Sequence, residues 1–321
     1  MFGVLCLHCN VHYQSSPLAC FLFKSAVFSI PLFFMVSGYL MASKSNIDWS
    51  YCWHKIKGIL KFSIGISLSF CLLQAGVKGT FDIVSILRSV IGNYFQLPGG
   101  RFGVFWYFGA MIIIYAFLPL ISKLFKYKRV NLLLIAGGGI LLIVFAMNLL
   151  VGMHYGHPFE HYIKQTLRVW NWIFYFLLGA YVKKNNIKVT ITVKTIALLF
   201  VFNYIHQVVL QQFMNSLLCE YFYSSPIVII LVLGIFLWLS NWQINPQSRT
   251  ASIISLLSKL FLPVYVFHMF AITYLKPAIT IIYSSCRLIA PLLVWLIVSL
   301  VIITLSYLLM RIPYINKFFK I

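Results

Sequence analysis

Long apolar runs separated by short basic segments form the main pattern of the chain. A membrane-crossing helix needs about 20 apolar residues, and the longer runs cover residues 20–41, 59–77, 102–121, 130–151, 169–182, 191–211, 225–239, 260–275 and 290–309. A shorter run over residues 1–11 precedes them, and we interpret it as the second half of a truncated first helix. The pattern predicts an all-α, polytopic membrane helix bundle of about ten transmembrane helices.

Two segments refine this prediction. Within residues 78–101, Ile83, Leu87 and Ile91 follow helical spacing, which predicts an amphipathic helix at the membrane interface. Thr80 or Asp82 could cap its start, and a turn at residues 97–100 would end it. In the run over residues 130–151, Gly137-Gly138-Gly139 predicts close contact with another helix. We find no repeat or linker, so residues 1–321 are expected to form a single domain.

The composition supports an integral membrane protein. Hydrophobic residues make up 62% of the chain and charged residues 9%, with a mean hydropathy of +0.94. A soluble domain of this size could not remove so much apolar surface from water. The net charge is +21, and the only acids are Asp48, Asp82, Glu160 and Glu220. Because the cations lie between apolar runs rather than in a separate domain, we expect contact with anionic membrane lipid and not with nucleic acid.

The distribution of these cations predicts the topology. If the N-terminus is cytoplasmic, most of the 25 lysines and arginines fall in cytoplasmic loops, among them Lys55, Lys57 and Lys61. Both termini are then cytoplasmic. The remaining cations are assigned to the outer side: Lys24, Lys78, Arg88, Arg101, Lys164, Arg168, Lys276 and Arg287.

Metal binding and disulfide formation are not expected. The seven cysteines are scattered, mostly within apolar runs, which does not match a disulfide framework or a zinc site. Residues 157–161 have the spelling H-x-x-E-H of some zinc proteases. That motif needs a helix and a further acidic ligand, whereas Pro158 and the surrounding sequence predict an outer loop. We expect the histidines of this loop and Glu160 to be solvated or to contact a polar acceptor.

His8 is the first candidate for chemistry. An imidazole within an apolar helix is costly in lipid, so it should point into the bundle or into a cavity. There it could act as a general base, or it could hydrogen-bond a neighbouring helix. Near the end of the chain, Tyr265 and His268 are one helical turn apart and therefore share a face. Lys55, Lys57 and Lys61 could attract an anionic cytoplasmic substrate or serve as positive-inside residues alone.

Five short motifs occur in a particular order along the chain. They are V-L-C-L-H-C-N at residues 4–10, P-L-F-F-M-V-S-G-Y-L at 31–40, F-W-Y at 105–107 followed by Tyr115 and Pro119, F-Y-F-L-L-G-A-Y at 174–181, and L-P-V-Y-V-F-H at 262–268. Each motif is unspecific by itself. The ordered set resembles the acyltransferase-3 family of integral membrane O-acyltransferases and covers nearly the whole chain.

The resemblance implies an enzyme of the inner (plasma) membrane that crosses it several times. Its donor would be cytoplasmic acyl-CoA, expected to be acetyl-CoA, acting as a co-substrate, with no bound cofactor and no metal. The acceptor would be a hydroxyl of a surface glycan or of its lipid-linked precursor. The implied roles are catalysis for His8, donor binding for Lys55, Lys57 and Lys61, and shaping of the cavity for acceptor binding for Trp106, Tyr107, Arg168, Tyr265 and His268.

Two departures from the family pattern keep alternatives open. The family has an arginine at the start of the first helix, and the matching position falls before Met1. The family's arginines after the second helix are replaced by lysines, which lack the bidentate guanidinium fork. A catalytically impaired homologue is therefore one alternative. A glycan-lipid transporter or flippase is another, although we find no paired repeats of the kind that transporters show.

Overall fold

The computed structural model describes residues 1–10, 16–44, 47–78, 83–98, 100, 102–126, 130–214 and 222–319. All secondary structure in these ranges is helical. The α-helices are α1 (Phe2–Asn10), α2 (Pro17–Ser25), α3 (Ser29–Met41), α4 (Trp49–Lys78), α5 (Ile83–Phe95), α6 (Trp106–Lys126), α7 (Val130–Tyr155), α8 (Val169–Lys184), α9 (Val193–Gln212), α10 (Pro226–Ser240), α11 (Arg249–Tyr274), α12 (Lys276–Ser285), α13 (Ala290–Met310) and α14 (Pro313–Phe318).

Every predicted apolar run contains a helix, and seven helical segments within the described ranges are long and apolar enough to cross a membrane. These are Pro17–Met41, Trp49–Val77, Gly103–Lys123, Val130–Tyr155, Val193–Gln212, Arg249–Tyr274 and Ala290–Met310. The helix α10 is a shorter apolar helix. The prediction of a membrane helix bundle is thus confirmed. The total of about ten crossings and the cytoplasmic position of both termini stay predictions.

The basic segment after the second predicted span is helical, which corrects its assignment to a loop. Lys55, Lys57 and Lys61 lie on α4, which begins at Trp49 and not near residue 59. The reason is an apolar stripe at helical spacing, because Cys52, Ile56, Ile59 and Phe62 are all buried. The lysines occupy other faces of the same turns, where Lys57 and Lys61 are exposed.

Lys24, one of the cations assigned to the outer side, lies inside α2 and is 2% exposed. Its Nζ donates a hydrogen bond to the carbonyl of Gln207 at 3.3 Å, and Asn203 donates to the carbonyl of Lys24 at 3.1 Å. A buried ammonium needs polar partners, and α9 supplies them here.

A close backbone contact in the core joins α3 and α8. A Cβ atom on Gly38 would lie 1.8 Å from the carbonyl oxygen of Phe176, and one on Gly179 would lie 1.8 Å from that of Met35. The two backbones therefore touch, as small residues permit. In the Gly137-Gly138-Gly139 run of α7, a Cβ atom on Gly137 or Gly138 would lie 3.2 or 3.8 Å from the ring of Phe174 on α8, whereas one on Gly139 would have no neighbour within 4 Å.

The predicted amphipathic helix is present as α5. Ile83, Leu87 and Ile91 are exposed, as expected for a face that meets the membrane interface. On the opposite face Asn93 is buried, donates to Ser67 of α4 at 2.8 Å and accepts from the backbone N–H of Phe102 at 2.6 Å. The proposed caps Thr80 and Asp82 and part of the predicted turn lie outside the described residues.

Candidate functional site

His8 faces an open cavity of the bundle. It lies on α1, whose residues Val4, Leu5 and Leu7 are buried against the rest of the bundle. The imidazole is half-buried and forms part of the wall of a cavity of about 550 Å³. We call this the His8 cavity, and the described residues in its wall are His8, Phe70, Gln74, Gln96, Gly100, Gly103, Val104, Trp106, Met269, Phe270, Thr273 and Tyr274.

The two motif histidines lie side by side. The ring centroids of His8 and His268 are 5.0 Å apart, with the ring planes at 43°. His268 is fully buried on α11, behind His8, and its Nδ1 is 2.7 Å from the carbonyl oxygen of Tyr265. The hydroxyl of Tyr265 donates in turn to the carbonyl of Val104, a residue of the cavity wall. The fold therefore joins residues from opposite ends of the chain.

The aromatic pair that begins α6 is divided between the cavity and the core. Trp106 lies in the wall of the His8 cavity and packs against Trp172, with ring centroids 5.1 Å apart. Tyr107 packs behind the wall, 5.8 Å from the ring of Tyr265, and its hydroxyl is 3.4 Å from that of Ser37. Trp106 can thus contact a ligand directly, whereas Tyr107 supports the wall.

The three candidate donor-binding lysines lie around one separate cavity. This basic cavity has a volume of about 350 Å³, and its wall is formed by His54, Lys55, Lys57, Gly58, Lys61, Phe62, Lys317 and Phe318. Lys317 was missed by the sequence reasoning because it belongs to α14, which follows the last predicted span. Phe318 and Phe319 pack on Phe62 at 5.3 and 5.2 Å between ring centroids, and this contact brings Lys317 to the cavity.

Both cavities share one helix. The basic cavity lies against residues 54–62 of α4, and the His8 cavity lies against Phe70 and Gln74 of the same helix. At about 1.5 Å per residue, Lys61 and Phe70 are separated by about 14 Å along the axis. The candidate phosphate-binding lysines and the His8 cavity therefore lie at different levels along the axis of α4.

A family comparison decides what kind of protein this is. The family model of the acyltransferase-3 type, described as an acyltransferase domain, matches residues 1–311. The chain belongs to the acyltransferase-3 family. No curated protein and no solved structure matches it. Together with the apolar helices, the family assignment supports a multi-pass membrane acyltransferase.

Arg168 of this acyltransferase belongs to a polar cluster apart from the described wall of the His8 cavity. It is 2% exposed at the start of α8, and its Nε donates to the carbonyl of Ile163 at 3.0 Å. Thr166 connects the same loop to the cavity wall through a 3.4 Å hydrogen bond to the carbonyl of Trp106. The loop that carries Arg168 therefore contacts the cavity wall through Thr166.

Glu160 is at the centre of that cluster, which corrects the expectation that it is solvated. Its carboxyl group is fully buried and accepts hydrogen bonds from Asn148 at 2.9 Å, Trp170 at 2.8 Å and Asn171 at 2.6 Å. Burial raises the pKa of Glu160, against the opposing effects of Arg168 and these donors. Through these hydrogen bonds, the carboxyl group links the loop that precedes α8 to helix α7.

The histidines of the same loop do not form a zinc site with Glu160. His157 and His161 stack with ring centroids 4.7 Å apart. Across the described ranges, no three His, Cys, Asp or Glu side chains gather in a way that could hold a metal ion. Burial and the neighbouring His157 and Arg168 lower the pKa of His161.

A second basic cavity lies at the ends of α3, α6 and α8, and sequence reasoning did not find it. It has a volume of about 280 Å³, and we call it the Lys44 cavity. Its charged wall residues are Lys44, Asp48, Lys123 and Lys184. Lys123 and Lys184 are far in sequence from Lys44 and Asp48, so only the packing of the helices reveals the cluster. The Lys44 cavity provides a natural comparison for the basic cavity on α4.

Proposed function

We propose that this protein is an O-acyltransferase of the inner (plasma) membrane. It would transfer an acyl group, expected to be acetyl, from cytoplasmic acyl-CoA to a hydroxyl of a surface glycan or its lipid-linked precursor. The observation that carries the proposal is the placement of His8 in a cavity wall beside His268, with a separate lysine-rich cavity on the same helix. These two features match the two substrates of acyl transfer.

The donor would bind in the basic cavity. The phosphates of acyl-CoA are anionic, and Lys55, Lys57, Lys61 and Lys317 offer ammonium groups around about 350 Å³. Lysine binds phosphate as a point charge, so several lysines replace the fork of an arginine. The flexible thioester arm of the donor would then extend along α4 toward the His8 cavity, which lies about 14 Å further along the helix.

The acceptor would bind in the His8 cavity. Trp106, Phe70 and Phe270 provide aromatic faces for a sugar ring, and Gln74 and Thr273 provide hydrogen-bonding groups. His8 would remove the proton from the acceptor hydroxyl as a general base. The oxygen then attacks the thioester carbonyl, the C–O bond forms and the C–S bond breaks. His8 returns the proton to the departing thiolate, so no cofactor is consumed and acyl-CoA serves as co-substrate.

The test is transfer of label from radiolabelled acetyl-CoA to membrane glycan in membranes that contain the protein. We expect wild-type membranes to transfer label and the His8→Ala variant to lose about 10²–10⁴-fold in rate. The matched control is His154→Ala, because His154 is an exposed histidine at the end of α7. Equal labelling by wild type and His8→Ala would exclude His8 as the base. Absence of label with the wild type, for acetyl-CoA and longer acyl-CoA donors alike, would contradict the proposed function.

A further inference from the structure

We infer that His268 is a positioning residue for His8. The geometry assigns His268 Nε2 as the acceptor of a hydrogen bond from the His8 ring nitrogen that faces away from the acceptor substrate. The inference rests on the proposed function and adds a role that the motif does not specify. It follows from the tautomer of His268, its burial and its distance from His8.

The tautomer follows from the contact with Tyr265. A carbonyl oxygen can accept a hydrogen bond but cannot donate one, so Nδ1 of His268, 2.7 Å from the Tyr265 carbonyl, must carry the hydrogen. A neutral imidazole has one donor and one acceptor nitrogen. Nε2 is therefore the acceptor, and its lone pair is fixed in direction by the Tyr265 contact.

This acceptor is buried and has no hydrogen-bond partner within the part of the chain that the structure describes. His268 is 0% exposed. The void beside it has a volume of about 10 Å³, and its wall includes Met1, Val4, Leu5, Phe261 and Val264. So small a space has little room for an ordered water. We therefore infer that Nε2 takes its partner from a neighbouring side chain.

His8 is that neighbour. Each ring nitrogen lies roughly 1 Å from its ring centre, so a centroid separation of 5.0 Å leaves roughly 3 Å between two facing nitrogens. That is a normal hydrogen-bond distance. Catalytic hydrogen bonds often tighten only when substrates are bound. A rotation of the half-buried His8 ring would complete the contact and direct its other nitrogen to the cavity.

In many hydrolases, a buried carboxylate holds the catalytic histidine in the correct tautomer and orientation. The hydrogen bond from His8 to His268 would have the same effect on His8. The two acids in the described part of the chain lie elsewhere: Asp48 accepts from the backbone N–H of Tyr51 and lines the Lys44 cavity, and Glu160 is at the centre of the polar cluster before α8. His268 supplies the missing acceptor as a neutral group. The proton of the acceptor hydroxyl goes to His8 and then to the thiolate, and His268 keeps its own proton on Nδ1.

The experiment compares His268→Ala with His268→Gln in the labelled acetyl-CoA assay, with purified protein in detergent. We expect His268→Ala to lower kcat at least about tenfold, with the KM for acetyl-CoA and the thermal unfolding midpoint little changed. His268→Gln restores an acceptor oxygen, so it should recover part of this loss. In a His8→Ala background, His268→Ala should cause no further fall, because its effect passes through His8.

Three results would overturn the inference while leaving the proposed function intact. The first is a His268→Ala variant with wild-type kcat. The second is an equal fall in rate in the wild-type and His8→Ala backgrounds. The third is a raised KM with a lowered unfolding midpoint and no recovery in His268→Gln, which would indicate a purely structural histidine. A wild-type protein that transfers no label would instead refute the proposed function itself.

Discussion

Gly38 of α3 and Gly179 of α8 bring the backbones of their two helices into direct contact. Each glycine faces a carbonyl group of the opposite helix, those of Phe176 and Met35. The contact also sets the position of the aromatic core, because Phe34 of α3 stacks on Trp172 of α8 at 4.7 Å between ring centroids. Trp172 packs in turn against Trp106 in the wall of the His8 cavity. The α3–α8 contact therefore supports the site.

The first prediction is that Gly38→Ala destabilises the protein. The new Cβ would lie 1.8 Å from a backbone oxygen, so the helices must move apart. Such overpacking costs about 1–3 kcal/mol, and we expect a lower thermal unfolding midpoint and reduced transfer of label. The control is Gly139→Ala on α7, where no atom lies within 4 Å of the added methyl group. Equal midpoints for the two variants would contradict the tight contact.

The second prediction concerns the basic cavity. Replacing Lys57 and Lys61 by glutamine removes two charges from its wall, so the KM for acyl-CoA should rise about fivefold, with a small change in kcat. Since exposed charges are screened by salt, the wild-type KM should also rise with ionic strength, and the variant should respond less.

The matched control for this prediction is Lys123→Gln with Lys184→Gln. These lysines belong to the Lys44 cavity, so the control removes the same charge from a different site. A larger rise in the KM for acyl-CoA in the control pair would indicate that the donor binds in the Lys44 cavity. Equal effects of both pairs would indicate a general attraction by the basic surface, without a specific donor cavity.

The helices were predictable because each apolar run is a local signal, whereas the exact position of the lysines was not. The stripe of Cys52, Ile56 and Ile59 has helical spacing and would have extended α4 back through Lys55 and Lys57. The positive charge of the same segment instead favours a cytoplasmic loop. Lys317 reaches the basic cavity through the packing of α14, and no local pattern contains that information.

The motifs indicated His8 and His268 as candidates, but their proximity is a tertiary result. Two residues near opposite ends of a chain can meet only if the helices between them close into a bundle, and the structure shows ring centroids 5.0 Å apart. Glu160 shows the converse case. Its loop is polar and contains a proline, which predicts solvation, yet Asn148 of α7 and Asn171 of α8 supply partners that make its burial possible.

The third prediction is a pH dependence of stability from Glu160. Burial raises the pKa of its carboxyl group above the ordinary value of 4.5, so the folded protein binds this proton more tightly than the unfolded chain does. The resulting stabilisation is complete below pH 4.5 and is lost as the pH rises through the folded-state pKa. The unfolding midpoint of the wild type should therefore fall over this range relative to that of Glu160→Gln.

Glu160→Gln cannot titrate, and it is the comparison that isolates this carboxyl group. Its amide oxygen can still accept from Trp170 and Asn171, but its NH₂ group would face the amide donor of Asn148. We expect a loss of about 1–3 kcal/mol at acidic pH, which shrinks as the pH rises. Other titrating groups, including His161, are common to both proteins and cancel in the difference. Parallel pH profiles would contradict the raised pKa of Glu160.

The fourth prediction tests acceptor binding through Thr273→Val. The hydroxyl of Thr273 lies in the wall of the His8 cavity and donates to the carbonyl of Met269 at 2.8 Å, so its oxygen remains able to accept from a sugar hydroxyl. Valine has nearly the same shape without this oxygen, and a lost hydrogen bond of about 1 kcal/mol corresponds to a roughly fivefold higher KM for the acceptor.

The matched control is Thr280→Val on α12, because Thr280 makes the same kind of bond to the carbonyl of Lys276 at 3.0 Å outside the cavity. With a purified glycan acceptor, Thr273→Val should raise the acceptor KM and leave that for acetyl-CoA unchanged, whereas a change in the KM for acetyl-CoA alone would mean that the His8 cavity receives the donor.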